Sequence, residues 1–278
     1  WPRPIFRAGL MLGTWIALPF MPVQRRASRE YLSVVLSRAP TTREIWRHFF
    51  AFADFLMLRL RVARGVAHPC TLDAATGAEF GALVASGAPA LFGTFHFGHS
   101  DLLGFFLGRT MRRPVTMVRL QVGNSEDVER LGRLFREWVN FVWVNEPANL
   151  PFALKEAIET GRSLAMQCDR VEFSAKAEFF QFLGRPRLFP FTIYHLAVLF
   201  HRPVVFCLGV PDATGTRVIA SPVFTPARHG SRAENLAHAR AHFQAVLVQL
   251  ETLVRQHPTL WFNFLPLNPE SPAPAKAG

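Results

Sequence analysis

The sequence predicts an α/β fold: a mostly parallel sheet covered by helices on both faces, behind an N-terminal helical, membrane-associating extension. Three observations carry this prediction. From residue 76 onward, apolar runs of six residues alternate with helical stretches of 10 to 15, the rhythm of strand–helix–strand units. Half of the 278 residues are hydrophobic, enough for one large domain with a sizeable core. The first 65 residues instead read as helices that set apolar stretches beside arginine.

Taken in order, Gly9 to Met21 is apolar for 13 residues, short of the ~20 that span a bilayer. Arg3, Arg7, Arg25 and Arg26 flank it, which suits an interfacial helix or the inner part of a longer anchor. Residues 28 to 64 read as helical, with Ser28 as an N-cap and Thr41-Thr42-Arg43-Glu44 opening a second helix. A helix near 76 to 86 ends at Gly87, and Ala90 to Phe95 is a buried strand. Then come a helix over Ser100 to Arg109, a strand over Val115 to Leu120 and a charged helix over Ser125 to Trp138. Val139 to Val144 is strand-like, Leu150 to Thr160 is a helix closed by Gly161, and Ser163 to Cys168 is a strand. Glu178 to Leu183 is an aromatic strand before Gly184-Arg185-Pro186, and Pro190 to Phe200 is a buried helix. Pro203 to Leu208 is a strand with a hairpin partner at Arg217 to Ser221, and Ser231 to Gln256 is the final helix. The domain reading is an extension over 1–65, an α/β domain over 66–264 and a loose Pro- and Ala-rich tail over 265–278.

Composition narrows the function classes. The formal charge is +11, which draws a protein to nucleic acid or to an anionic membrane. No nucleic-acid module is present, and the basic residues lie beside apolar stretches, so the membrane is the expected partner. Phe outnumbers Tyr by 27 to 2, which suits a core or a tunnel that meets acyl chains. Cys70, Cys168 and Cys207 form no zinc-like or disulfide framework, as expected of a reducing compartment. His238 and His242 stand four apart without an acidic third ligand, so no metal site is expected. No phosphate-binding loop or dinucleotide fingerprint appears, so no nucleotide cofactor is expected either.

The strongest chemical signal is Gly93-Thr94-Phe95-His96-Phe97-Gly98-His99-Ser100-Asp101. An apolar strand delivers His96 to its carboxyl end, where open α/β sheets hold their ligands. Gly98 allows a tight turn, and Asp101 in the following helix can fold back toward His96. A carboxylate on one ring nitrogen fixes the tautomer and leaves the other nitrogen free to take a proton. Asp169 closes the run Leu164 to Cys168 and should emerge at the same edge. Arg170, Arg185 and Arg187 are candidates for anionic groups, each through its planar fork of donors.

This His-x4-Asp motif, with its strand before it, resembles the signature of the lysophospholipid acyltransferase superfamily. Within it, the chain is similar to the bacterial lipid A biosynthesis (late) acyltransferase family over roughly residues 7 to 264. The other landmarks are Arg25 to Leu32, Ala153 to Gly161, Asp169, Phe180 to Pro186 and Trp261-Phe262-Asn263-Phe264. The resemblance implies His96 as base, Asp101 as its acidic partner and Asp169 as a later strand-end Asp. It also implies a catalytic Arg within Arg130 to Arg136, assigned to Arg133 with Arg136 in reserve. Arg170, Arg185, Arg136 and His99 are the expected substrate-binding residues.

The expected reaction is O-acyl transfer from an acyl carrier protein, or acyl-CoA, to a lipid hydroxyl at the cytoplasmic face of the inner membrane. Asp101 and Arg170 depart from the Glu and Gln usual in the late acyltransferases, and divergent members of this kind accompany aryl-polyene pathways. The acceptor is therefore a lipid A precursor or a pathway-specific lipid. The rivals are a non-catalytic lipid-binding scaffold and a lipid hydrolase that turns the same base on water.

Overall fold

In the computed structural model the described residues are 3–119, 130, 132–144, 150–171, 174 and 176–267. Three helices come first: α1 (Arg3–Ala17), α2 (Pro22–Leu36) and α3 (Thr42–Ala63). The chain bends by 101° between α1 and α2, where a 3₁₀ turn and Pro22 interrupt the helix. α3 opens where expected, and Thr41 and Glu44 form a capping box on it, each satisfying the other's free backbone N–H. Ser28 does not cap a helix. It lies buried within α2, where its hydroxyl meets the His48 ring.

The α/β part follows as β1 (Cys70–Leu72), α4 (Gly77–Ala85), β2 (Leu91–Thr94), α5 (Leu103–Thr110), β3 (Val115–Arg119) and β4 (Val139–Trp143). It continues with α6 (Leu150–Glu159), β5 (Ser163–Gln167), β6 (Ala177–Phe182), β7 (Arg185–Pro190) and α7 (Thr192–Phe200). β8 (Val204–Pro211), β9 (Thr216–Ala220) and α8 (Arg232–Gln256) complete the chain of elements. Seven strands form one sheet in the order β1-β9-β8-β2-β5-β3-β4. All its pairings are parallel except β8 with β9, the expected hairpin.

The structure departs from the expected elements at three further places, each with a local cause. β1 is only three residues long and lacks a run that alternation could reveal. β7 pairs with β6 outside the main sheet, although its segment carries two prolines; as one strand of a two-stranded ribbon it has an outer edge that needs no donors. The helix expected from Pro190 therefore begins only at Thr192. The part of the expected Ser125–Trp138 helix up to residue 129 lies outside the described residues, as does the tail beyond 267.

Alternation along the strands sends side chains to two cores. Leu91, Leu164, Val204 and Phe206 meet α6, α7 and α8 through Ile158, Ile193 and Phe243. Phe92, Val115, Met117 and Val205 meet α4 and α5 through Phe80, Leu103 and Phe105 on the other face. Helix α3 serves both cores, giving Ile45 and Phe49 to the first and Phe55 and Leu58 to the second. α1 instead leaves much of its apolar surface in solvent, with Ile5, Leu12 and Ile16 each more than half exposed.

Candidate active site

Strand register builds the site. Thr94 at the end of β2 pairs with Gln167 at the end of β5, so His96 and Asp169 each stand two residues past a matched pair. Both emerge at the carboxyl edge of the sheet. Asp169 Oδ1 accepts a hydrogen bond from His96 Nδ1 at 2.7 Å. Its Oδ2 accepts from the His96 backbone N–H at 2.8 Å and from Trp261 Nε1 at 2.9 Å. The carboxylate is buried and fully engaged, so it fixes the imidazole with its proton on Nδ1. Among the described residues no group bonds Nε2, and the ring borders a cavity of ≈ 520 Å³.

Burial would raise the Asp169 carboxyl, but the neighbouring His96 and the three hydrogen bonds outweigh it and hold the group below the usual range. Asp169 is thus ionised wherever His96 can act as a base.

Asp101 does not bond His96. Arg119 Nη2 donates to both of its oxygens, at 2.8 and 3.0 Å, and Arg59 Nε lies 3.5 Å away on the other side. Burial pushes the Asp101 carboxyl up, and Arg119 and Arg59 more than reverse this, keeping it ionised. The physical reason for the departure is local. The helix after the motif opens as a 3₁₀ turn over Ser100–Leu102, and it faces the end of β3, where Arg119 emerges. Two guanidinium groups attract a carboxylate more strongly than a neutral ring does.

The turn between His96 and Asp101 depends on Gly98, whose φ of +53° favours glycine. A Cβ at this position would also collide with the Gly209 carbonyl oxygen. Gly98→Ala should cost roughly 2–4 kcal/mol of stability, measurable by chemical denaturation.

The cavity joins two kinds of wall. Val118, Val144, Leu150, Leu154, Ile193 and Leu196 make one side apolar, whereas His96, Arg59, Arg119 and Arg170 bring polar groups to the same space. Arg170 Nε lies 3.4 Å from His96 Nδ1, a contact of packing since the ring proton there points to Asp169. Arg119 Nη1 is buried and has no hydrogen-bond partner among the described residues.

Of the other expected residues, Arg133, Arg136 and Arg185 are exposed and do not line this cavity. The arginine at the sheet edge is Arg119, which the sequence reading passed over; an Arg closing the apolar strand Val115–Val118 was its available signal. Arg187 is buried and donates to the Phe182 and Leu267 carbonyls, a structural duty. His99 turns away from His96, stacks on Phe55 and bonds Thr216 Oγ1 at 2.6 Å. Burial, with His68 and Arg61 nearby, lowers its pKa to about 4. His242 has both ring nitrogens engaged, by Tyr194 Oη and the Pro222 carbonyl. Among the described residues no cluster of three His, Cys, Asp or Glu could hold a metal ion. Comparison with protein-family models and with curated proteins finds no match to this chain.

Proposed function

We propose that this protein is an O-acyltransferase that works at a membrane surface, with His96 as general base and Asp169 as its orienting carboxylate. The observation that carries the reading is the His96–Asp169 pair beside a largely apolar cavity that Arg59, Asp101, Arg119 and Arg170 also line. His96 Nε2 takes the proton from a lipid hydroxyl while that oxygen attacks the carbonyl of an acyl thioester. The bond to sulfur then breaks, and the proton passes from the imidazolium to the departing thiolate. Arg119, through its unpartnered Nη1, and Arg170 line the same cavity and are the donors we assign to the developing oxyanion. The apolar wall suits an acyl chain, and the basic chain suits an acidic carrier protein as donor.

The exposed apolar residues of α1, the turn after it and the start of α2 support membrane attachment. Ile5, Leu12, Ile16, Phe20 and Val23 are 56–81% exposed, and Arg7, Arg26 and Arg29 lie on the same two helices. Among the described residues no single helix is long and apolar enough to cross a membrane, and the one pair that is, Ile5–Phe20 with Pro22–Leu36, is bent by 101°; we infer attachment in the plane of the interface from the exposed apolar side chains beside these arginines. Replacing Leu12, Ile16 and Phe20 together with Glu should weaken sedimentation with anionic phosphatidylglycerol vesicles at least tenfold. Unchanged sedimentation would remove this part of the reading.

The reaction is tested by incubating purified protein with an acyl carrier protein thioester and an extracted bacterial lipid pool. Mass spectrometry should find a lipid heavier by one acyl group. Free fatty acid alone would make the protein a hydrolase, and neither product would leave a binding role.

A further inference from the structure

The Asp169 carboxylate is held by a residue outside the sheet, and that residue is in turn held by the N-terminal helices. Trp261 is buried and donates from Nε1 to Asp169 Oδ2 at 2.9 Å. Its segment is fastened to the His96 loop on either side: the Phe262 N–H donates to the His96 carbonyl, and the Gly98 N–H donates to the Leu260 carbonyl, each at 2.7 Å.

From the opposite direction, α2 and α3 reach the same residue. His48 of α3 is wholly buried, and its Nε2 lies 2.8 Å from the Trp261 carbonyl. A carbonyl only accepts, so Nε2 carries the proton. Burial lowers the His48 pKa to about 4, so the ring is neutral and its Nδ1 accepts from the Ser28 hydroxyl at 2.9 Å. Tyr31 of α2 packs edge-on against the Trp261 ring at 5.3 Å and donates to the Pro258 carbonyl at 2.8 Å. An unbroken set of contacts thus runs from Ser28 and Tyr31 through Trp261 to Asp169 and His96.

We propose that Trp261 is a positioning residue, holding Asp169 in the orientation that His96 requires, and that α2 and α3 set Trp261 itself through His48 and Tyr31. The inference rests on the reading of His96 as a base. Of the two side chains that reach Asp169 among the described residues, His96 and Trp261, the second comes from the segment that the N-terminal helices hold. Helix α2, which carries Val23, Arg26 and Arg29 of the proposed membrane-facing surface, is therefore also one of the two helices that brace the catalytic pair.

The test is Trp261→Phe, which keeps an aromatic ring and removes the N–H. With one donor fewer, Asp169 becomes more basic and holds the imidazolium more tightly, so His96 loses its proton at higher pH. Asp169 and Arg170 face His96, and Asp101 with Arg59 and Arg119 borders the same cavity; the substitution alters none of them. NMR of ¹⁵N-histidine-labelled protein, with His96 assigned through His96→Gln, should show its titration moved upward by roughly half a pH unit or more. Acyl transfer from the carrier thioester to the lipid pool should fall about tenfold in kcat with KM little changed, and its acid limb should move the same way. A side chain that only fills space would lower stability without moving either titration. Where Trp261→Phe melts early, benzothienylalanine at 261, which replaces the N–H with sulfur in the same ring shape, gives the same comparison. An unmoved His96 titration in a folded variant would overturn the proposal. A moved titration in a protein that transfers no acyl group would instead overturn the function and leave the positioning role standing.

Discussion

His96→Ala should reduce acyl transfer by about 10²–10⁴-fold while leaving the fold intact. The side chain is one-quarter exposed at the cavity wall and its hydrogen bond goes to Asp169, so its removal opens no hole in either core. The loss should fall on kcat, because the ring acts on the attacking hydroxyl in the transition state and contributes little to holding a lipid. A labelled acyl donor followed into lipid gives the rate, and thermal unfolding gives the control. Retention of more than about a tenth of the activity would be far outside the range for a lost general base and would sink the assignment.

Asp169→Asn should be nearly as damaging, by roughly 10³-fold or more, for a reason visible in its three hydrogen bonds. The His96 N–H and Trp261 Nε1 both donate to Oδ2, so an amide at 169 turns its oxygen toward them. Its NH₂ then faces His96 Nδ1 and forces that nitrogen to accept, which moves the ring proton to Nε2. The base is left in the wrong tautomer. Asp101→Asn should behave differently. It leaves the Arg59 and Arg119 guanidinium groups without their shared carboxylate and should cost about 3 kcal/mol of stability. Its direct effect on the His96 tautomer should be small. Rates and melting temperatures of the two variants, measured together, separate the partner of the base from the partner of the arginines.

The contrast shows what the sequence could and could not reveal. His96 and Asp169 were legible because each follows an apolar strand, and strand ends share an edge once the sheet is parallel. Which carboxylate meets His96 was not legible. Spacing along the chain favours Asp101, whereas the bond is decided by register between β2 and β5 and by the pull of Arg119 across the sheet. Arg133 and Arg136 do not line the cavity that Arg119 reaches, and chain order says nothing of which strand lies beside which. The order β8-β2-β5-β3 puts the ends of β2 and β3 on either side of β5, so Arg119 meets the site from two strands away. His99, one residue past the turn, points away because Gly98 reverses the backbone there. Most elements of the α/β part were legible from periodicity, whereas β1 and β7 are too short or too proline-rich to announce themselves. The starts of α3 near Thr41 and of α8 at Ser231 were legible, and the structure closes each with a capping box. The role of Trp261 could not be read at all, since it depends on the chain returning to Asp169 after a separation of 92 positions.

The central claim is that His96 activates the acceptor's hydroxyl directly, with Asp169 on its far nitrogen. Release of carrier thiol from the acyl thioester tests it most directly, measured with and without the lipid pool. The account predicts release that requires the lipid, matches the ester formed mole for mole and disappears in His96→Ala. Equal release without any acceptor, or undiminished release in His96→Ala, would contradict it.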